Sequence, residues 1–304
     1  MKFQRLAEVF RVVVSTLILI SVCVGGYSNA ESSVWKIEKE GKQIYLGGTV
    51  HVLTEADFPL PKEYDEAYAQ ADKIYFETNI DAASSTAFAV KMGSAMKYSD
   101  GRTLRSVLEP EVYRELNKYL IGKGLPSTLF ESFTAAGVSL SITLLELRAL
   151  GYTNVGVDKY FHDLAKKEGK TLSYFETPEQ QLAFISNIGE GIENEFVRHT
   201  LSDLDRLSEM FDEMKAQWLK GDVWGLYDSM VVELQLEFPQ VYHSILVDRN
   251  YNWLPNIEAM FADDDIEFVL VGAAHMAGPD GLLALLAERE YAITQLGSTE
   301  FVVE

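Results

Sequence analysis

Two stretches decide the fold of this chain, IYLGGTVH at residues 44–51 and FVLVGAAH at residues 268–275. Each is a short β-rich apolar run followed by a Gly-x-x-His (GxxH) motif, which ends at His51 or at His275. With 21 Gly and 5 His among 304 residues, the number of GxxH motifs expected by chance is roughly one third, whereas two are found. An apolar run bounded by glycine indicates a buried strand that ends in a turn. Because open α/β sheets bind ligands at strand ends that face a crevice, we expect His51 and His275 to meet in one site.

Both motifs lie within the same order of elements: strand, motif turn, loop, helix, strand. The first unit continues with a helix over 61–71 and a strand over 73–76 that ends at Glu77, and the second with a helix over 282–289 and a strand over 291–296. Such units imply parallel neighbouring strands joined by right-handed crossovers. Before the first motif, the runs 34–37 and 43–46 predict a β-hairpin.

The middle of the chain is mainly helical, with one further strand. A helix over 158–168 precedes a strand over 171–175 that ends in Glu176, and Thr177-Pro178 begins another helix. Further helices are predicted over 109–120, 132–150, 180–188, 193–220 and 223–236. The predicted fold class is therefore α/β, with a duplicated strand–GxxH–helix–strand core that forms a central mixed sheet, capped by a helical insert.

The N-terminus and the composition limit the class of protein. Residues 1–30 combine basic residues, a mostly apolar stretch over 12–24 and small residues before Ala30, which is typical of a secretory signal peptide cleaved after Ala30. Retention of this segment as an anchor is the alternative. We expect an exported, periplasmic or extracellular protein with one domain over 31–304 and no membrane span in the mature chain. The net charge of −20 argues against nucleic-acid and anionic-membrane partners.

Candidate site residues follow from the ends of the predicted strands. Neutral histidine and carboxylate side chains are ligands that suit zinc, manganese or cobalt, so His51, Glu77 and His275 are the predicted ligands of a catalytic divalent ion. Such an ion lowers the pKa of bound water and supplies hydroxide at neutral pH. Glu176 is a second candidate carboxylate that could shuttle a proton. Arg249, which is followed by Asn250, could hold a substrate carboxylate or stabilise an oxyanion.

Each of these residues also has a purely structural interpretation. Either histidine could be a buried imidazole that bonds a backbone carbonyl, and Glu77 could form a cap or a salt bridge. Glu176 precedes a helix start, and Arg249 could form a surface salt bridge worth less than about 1 kcal/mol. The remaining histidines, His162, His199 and His243, lack the strand–glycine context and are interpreted as structural or exposed.

The order of these motifs resembles the TraB/GumN family, which includes the Tiki proteins. The resemblance runs from about Trp35 to the C-terminus. It is carried by the paired GxxH motifs with Glu77, and by the segments 101–104, 156–158, 175–180 and 249–250. It implies a fold related to the erythromycin esterase and ChaN-like group. From the Tiki members it implies metal-dependent proteolysis by His51, His275 and Glu77, with Arg249 and Asn250 lining the site.

Three functions are compatible with the sequence. The first is an exported metal-dependent hydrolase, which we expect to be a peptidase, that acts on a peptide or small-molecule substrate. The second is a metal-free esterase-type hydrolase in which a histidine oriented by Glu77 is the general base. The third is a non-catalytic protein that binds a peptide or haem.

Overall fold

The centre of the fold is a pair of neighbouring parallel strands that carry the two GxxH motifs. In the computed structural model, which describes residues 32–297, strand β2 (Lys42–Thr49) lies beside strand β5 (Glu267–Gly272). Their register pairs Thr49 with Gly272, so both motifs end at the same edge of the sheet. The prediction of a mixed α/β fold is confirmed.

The sheet has six strands within the described residues, in the order β4-β3-β5-β2-β1-β6. The other strands are β1 (Val34–Lys39), β3 (Lys73–Thr78), β4 (Thr171–Glu176) and β6 (Ala292–Gln295). Strands β2 to β5 are parallel, and β1 is antiparallel to both of its neighbours, β2 and β6. The expectation that each unit joins neighbouring strands was wrong, because β5 lies between β2 and β3. The two units are interleaved, and this places the two motif strands side by side.

Helices supply the layers on both faces of this sheet. In chain order they are α1 (Lys62–Gln70), α2 (Ile80–Ala83), α3 (Thr86–Ala95), α4 (Leu104–Val107), α5 (Pro110–Gly122), α6 (Ala135–Ala149), α7 (Val157–Glu168), α8 (Pro178–Ser186), α9 (Glu193–Leu204), α10 (Leu207–Leu219), α11 (Val223–Leu226), α12 (Val232–Glu237), α13 (Pro239–Tyr242), α14 (Asp248–Ala259) and α15 (Leu282–Ala287). Two π-helical turns, Tyr227–Val231 and His243–Val247, connect α11 to α12 and α13 to α14.

Strand β5 is buried along its whole length and connects two hydrophobic clusters. Phe268 and Leu270 pack into a cluster with residues of α1 and α7, whereas Val269 and Val271 pack into a cluster with residues of α14 and α15. This alternation follows from the period of two in a strand. Burial of each such side chain contributes about 1.5–3 kcal/mol, so both helix layers stabilise the strand that carries the second motif.

The helical insert departs from the sequence prediction in several places. Helices α2, α3 and α4 were not predicted, and the single helix predicted over 193–220 is divided between α9 and α10. The helix predicted over 223–236 contains a π-helical turn. Arg249 and Asn250 lie within α14, a helix for which no bounds were predicted.

The predictions made for the N-terminus concern residues outside the described part of the chain. These are the signal peptide over 1–30 and its cleavage after Ala30. Over residues 32–297, no helix combines the length and the apolar character needed to cross a membrane.

Candidate active site

Glu77 is the centre of the site, and both motif histidines face one of its oxygens. Glu77 lies at the carboxyl end of β3, and its Oε1 is 4.0 Å from Nε2 of His51 and 3.9 Å from Nε2 of His275. The backbone N–H of Gly272 donates to the same oxygen at 2.7 Å. A Cβ at Gly272 would lie 3.3 Å from that oxygen and 3.6 Å from His51 Nε2, so glycine keeps this space open.

His51 is oriented by a carboxylate from helix α7. Its Nδ1 donates to Asp158 Oδ2 at 2.8 Å, and Thr49 Oγ1 donates to Asp158 Oδ1 at 2.9 Å. Helix α7 can approach this closely because Gly156 has no side chain. A Cβ at this position would lie 2.3 Å from the carbonyl oxygen of Val50. The Asp158 carboxylate raises the pKa of His51 to about 9, and the His51 side chain is 61% exposed. His51 is therefore the part of the site that solvent reaches most easily.

His275 is buried and is oriented by Asn250. The Asn250 Nδ2 group donates to the carbonyls of His275 at 3.3 Å and of Asp280 at 2.7 Å, so its amide oxygen faces the imidazole. That oxygen lies 2.6 Å from His275 Nδ1, which places the ring proton on Nδ1 and a lone pair on Nε2. Burial lowers the pKa of His275 to about 3, so the ring is neutral at pH 7. The Trp253 ring packs against it at 4.5 Å.

Arg249 uses all five of its N–H groups within the protein. Its Nε and one Nη2 proton bind the two oxygens of Glu176 at 2.9 and 3.0 Å. The second Nη2 proton binds Glu77 Oε2 at 2.5 Å. The Nη1 protons bind the carbonyl of Ile245 at 3.1 Å and His275 Nε2 at 3.2 Å. Since a guanidinium has five donors, none remains for a substrate carboxylate or an oxyanion in this arrangement.

The buried charges of the site are unequal. Glu77, Glu176 and Asp158 are three buried carboxylates, and Arg249 is one guanidinium. The formal charge is therefore −1 while His51 keeps its proton, and −2 once His51 has lost it. Burial alone would raise the pKa of Glu77, but Arg249 and the two histidines hold that pKa well below its usual range. Glu77 is therefore ionised. This part of the molecule carries an excess of negative charge.

A two-armed cleft passes over these residues. One cavity of about 340 Å³, which we name the α8 arm, is lined by Phe76, Thr78, Ile80, Phe184, Ile185 and Ile188. A second of about 340 Å³, the α10 arm, is lined by Val50, Val52, Phe211, Met214, Leu226 and Met230. The two arms share His51, Glu77, Ile245 and Arg249. The cleft thus has mostly apolar walls on both sides of a charged centre, as small-molecule and substrate pockets commonly do.

The structure brings together all six candidate residues. They are His51, Glu77, Glu176, Arg249, Asn250 and His275. The three other histidines lie apart from this site: His162 is buried beside Phe76 and Tyr174, His199 pairs with Asp203, and His243 is exposed.

Three further residues that act on the site had no assigned role in the sequence. Asp158 orients His51, Gln181 donates to Glu77 Oε2 at 3.1 Å, and Trp253 Nε1 donates to Glu176 Oε1 at 2.9 Å. Only Asp158 had a signal in the sequence, since it is a carboxylate in the first turn of a predicted helix. No sequence pattern indicated that Gln181 or Trp253 would reach the site.

Comparison with known proteins identifies the family. A family model described as the TraB/PrgY/gumN family matches residues 33–295, nearly the whole chain. The chain belongs to this family, as its motifs predicted. Neither the curated proteins nor the solved structures include a match to it.

Proposed function

We propose that this member of the TraB/PrgY/gumN family is a hydrolase that activates water between His51, Glu77 and His275. The observation that carries the proposal is the convergence of two imidazole Nε2 atoms on the single oxygen Glu77 Oε1, at 4.0 and 3.9 Å. Both rings are fixed through Nδ1, by Asp158 and by Asn250. Fixed orientation of acid–base groups is what proton transfer to and from water requires.

The donor chemistry of this site fits a divalent ion such as zinc, manganese or cobalt. His51, Glu77 and His275 would hold it, and their two Nδ1 partners match the outer hydrogen bonds that orient metal-bound histidines. A charge of +2 would also balance the formal charge of −2 that remains once His51 has released its proton to bind the ion. When bound, the ion would lower the pKa of a water ligand. Over residues 32–297 no group of three or more His, Cys, Asp or Glu side chains forms a ready-made metal site, so the proposal rests on donor chemistry and charge.

The remaining residues hold this centre in place. Arg249, with Glu176 behind it, fixes the second oxygen of Glu77, and Gln181 donates to that same oxygen. Because Arg249 has no free donor, we assign it to positioning and not to substrate binding. His51, the most exposed of the group, is the side chain that can exchange a proton with water or a leaving group.

A second candidate, a metal-free hydrolase, is favoured by one contact. Arg249 Nη1 donates to His275 Nε2 at 3.2 Å and so occupies the lone pair that a metal would use. In that mechanism the deprotonated form of His51, held by Asp158, is the general base for water. The two mechanisms differ in whether activity depends on a removable ion.

The test combines elemental analysis with activity on a peptide library. For the metal-dependent mechanism we expect a bound divalent ion, loss of activity on chelation, and loss of both ion and activity in His51→Ala and His275→Ala. His243→Ala, which changes an exposed histidine outside the site, is the matched control and should retain both. Activity that survives exhaustive chelation but not His51→Ala would establish the metal-free mechanism. Tight binding of a peptide or haem without turnover of any substrate would make the protein a binding protein.

We also propose that the protein is exported, on the basis of the signal-peptide pattern over residues 1–30. Mass spectrometry of the protein purified from the expressing cells should give Glu31 as the first residue. An intact N-terminus in a membrane fraction would instead indicate a retained anchor.

A further inference from the structure

We propose that a groove between helices α9 and α12 binds an organic ammonium ion, namely a primary amine with an apolar body. This α9 groove consists of two adjoining cavities of about 220 and 400 Å³, which share His199 and Phe238 in their walls. Of the described residues that line it, Met230 alone also lines the α10 arm of the cleft. The groove is therefore a second candidate site, and the inference does not depend on the proposed hydrolytic function.

Apolar side chains form one wall of the α9 groove and remain partly exposed. They are Phe196, Met210, Met230, Leu234 and Phe238, each of which is half-buried. The rings of Phe196 and Phe238 meet edge to face at 6.2 Å, and the His199 ring lies 5.2 Å from Phe238. Burial of this wall favours a ligand with an apolar body, and the faces of aromatic rings attract a cation.

Carboxylates predominate among the charged groups of the α9 groove. Among the described residues that line it, Arg198 is the only lysine or arginine, and its Nη2 atom lies 3.5 Å from Glu109, which lines neither cavity. The four carboxylates are those of Glu195, Asp203, Glu233 and Glu237. The formal charge of the groove is therefore −3 with a neutral His199 and −2 with a protonated one. A groove of this charge attracts cations and repels anions.

His199 marks the position of the ammonium group. Its Nδ1 lies 3.0 Å from Asp203 Oδ2, and its Nε2 lies 3.6 Å from Glu233 Oε1. In a neutral ring with its proton on Nδ1, the Nε2 lone pair and the Glu233 carboxylate are two acceptors that face each other without a donor between them. A primary ammonium group has three N–H donors, so one such group can bind both acceptors. Burial raises the pKa of Asp203 although His199 is its partner, so a further positive charge would also stabilise that carboxylate.

A metal ion fits this position less well than an amine does. Over the described range 32–297, no group of three or more His, Cys, Asp or Glu side chains is arranged to hold one. Two acceptors beside an apolar wall instead suit a ligand that joins one cationic group to a hydrocarbon body. The groove thus selects its class of ligand by charge at one end and by apolar contact along the rest.

The experiment compares four small molecules by isothermal titration calorimetry on the purified protein at neutral pH. The first, 2-phenylethylamine, has both the ammonium group and the apolar body. Of the others, 2-phenylethanol lacks the charge, ethylamine lacks the ring, and 3-phenylpropionate carries the opposite charge. We expect 2-phenylethylamine to bind at least about tenfold more tightly than each of the other three, because it alone makes both kinds of contact.

Variants of the groove test each kind of contact. Glu233→Gln and Phe238→Ala should each weaken binding of 2-phenylethylamine about tenfold, because the first removes an ionised acceptor and the second removes a ring from the apolar wall. Glu111→Gln, at an exposed carboxylate on α5 that lines neither cavity, is the matched control and should leave the affinity unchanged. Glu233→Lys should abolish binding of the amine and give binding of 3-phenylpropionate, which shows that the altered groove remains folded.

Three results would overturn the inference. Equal affinity for 2-phenylethanol would show that the charge of the groove plays no part. Loss of binding in Phe184→Ala but not in Glu233→Gln would place the amine in the cleft instead. No binding of the amine to the wild-type protein would show that a protonated His199 already bridges Asp203 and Glu233. The expected preferences in a protein that hydrolyses no substrate would leave the inference standing.

Discussion

Replacement of Arg249 by methionine tests whether the guanidinium holds the site together. Arg249 is buried between Glu77 and Glu176, and Arg249→Met keeps a long unbranched side chain while it removes the charge. Loss of one partner from a buried ion pair costs about 3–5 kcal/mol, because the other charge stays buried and uncompensated. At about 2–4 °C per kcal/mol in a chain of this size, the melting temperature should fall by roughly 10 °C.

Thermal unfolding followed by circular dichroism at pH 7 measures this change. Arg198→Met is the matched control, since Arg198 makes a pair with Glu109 at 3.5 Å in which both side chains are exposed, and it should change stability by less than about 0.5 kcal/mol. The double variant Arg249→Met/Glu176→Gln should lose at least about 1 kcal/mol less than the sum of the single variants, because it removes one of the uncompensated carboxylates. The reasoning fails if Arg249→Met is as mild as Arg198→Met, or if the two changes are simply additive.

Three further variants test other contacts. Asp158→Asn should reduce activity by about 10–100-fold, because it weakens the bond that orients His51; unchanged kcat/KM would contradict this. Burial lowers the pKa of His162, so the unfolded chain binds a proton more readily, and the free energy of unfolding should fall as the pH drops from about 7 to 5, by at most about 1.4 kcal/mol per pH unit. His162→Phe should reduce this slope in urea titrations and leave the share of His275, whose pKa is also lowered by burial. An unchanged slope would show that His162 does not contribute to it. Gly156→Ala should lower the free energy of unfolding by more than about 1 kcal/mol, because its Cβ would meet backbone atoms at 2.3 Å. The control Gly93→Ala, in open space on helix α3, should raise it by about 0.5–1 kcal/mol. Equal effects of the two variants on the melting temperature would show that the backbone near Gly156 can move to accept a side chain.

The sequence predicted the strands of this fold better than its helices. Strand β5 is a continuous apolar run that is buried on both faces, so its pattern and its environment agree. Helix α3 was missed because only Phe88 is buried on it, which leaves no apolar face to recognise. The helix predicted over 193–220 is divided between α9 and α10 at Asp205 and Arg206, where no glycine or proline marks the break.

The candidate site shows the same division between local and tertiary information. Glu77 and Glu176 each follow an apolar strand, and the parallel register that pairs Thr78 with Glu176 brings the two carboxylates to one edge of the sheet. That part was predictable, because parallel strand ends converge at one edge of a sheet. The role of Arg249 was not predictable. It depends on how helix α14, which is distant in the sequence from β3 and β4, packs at the ends of those strands, and on the carbonyl of Ile245 in a π-helical turn.

The engagement of Arg249 changes the interpretation of the whole site. From the sequence, Arg249 was a candidate cation that could hold a substrate carboxylate or stabilise an oxyanion. In the folded chain the same residue binds Glu77 and Glu176 and faces His275, so its guanidinium has no free N–H for a ligand. Recognition then depends on the apolar arms, and reactivity depends on His51, whose side chain is 61% exposed while Glu77 and His275 are buried. A substrate that enters the cleft therefore contacts His51 first. The buried residues behind His51 fix the positions of the groups that the substrate contacts.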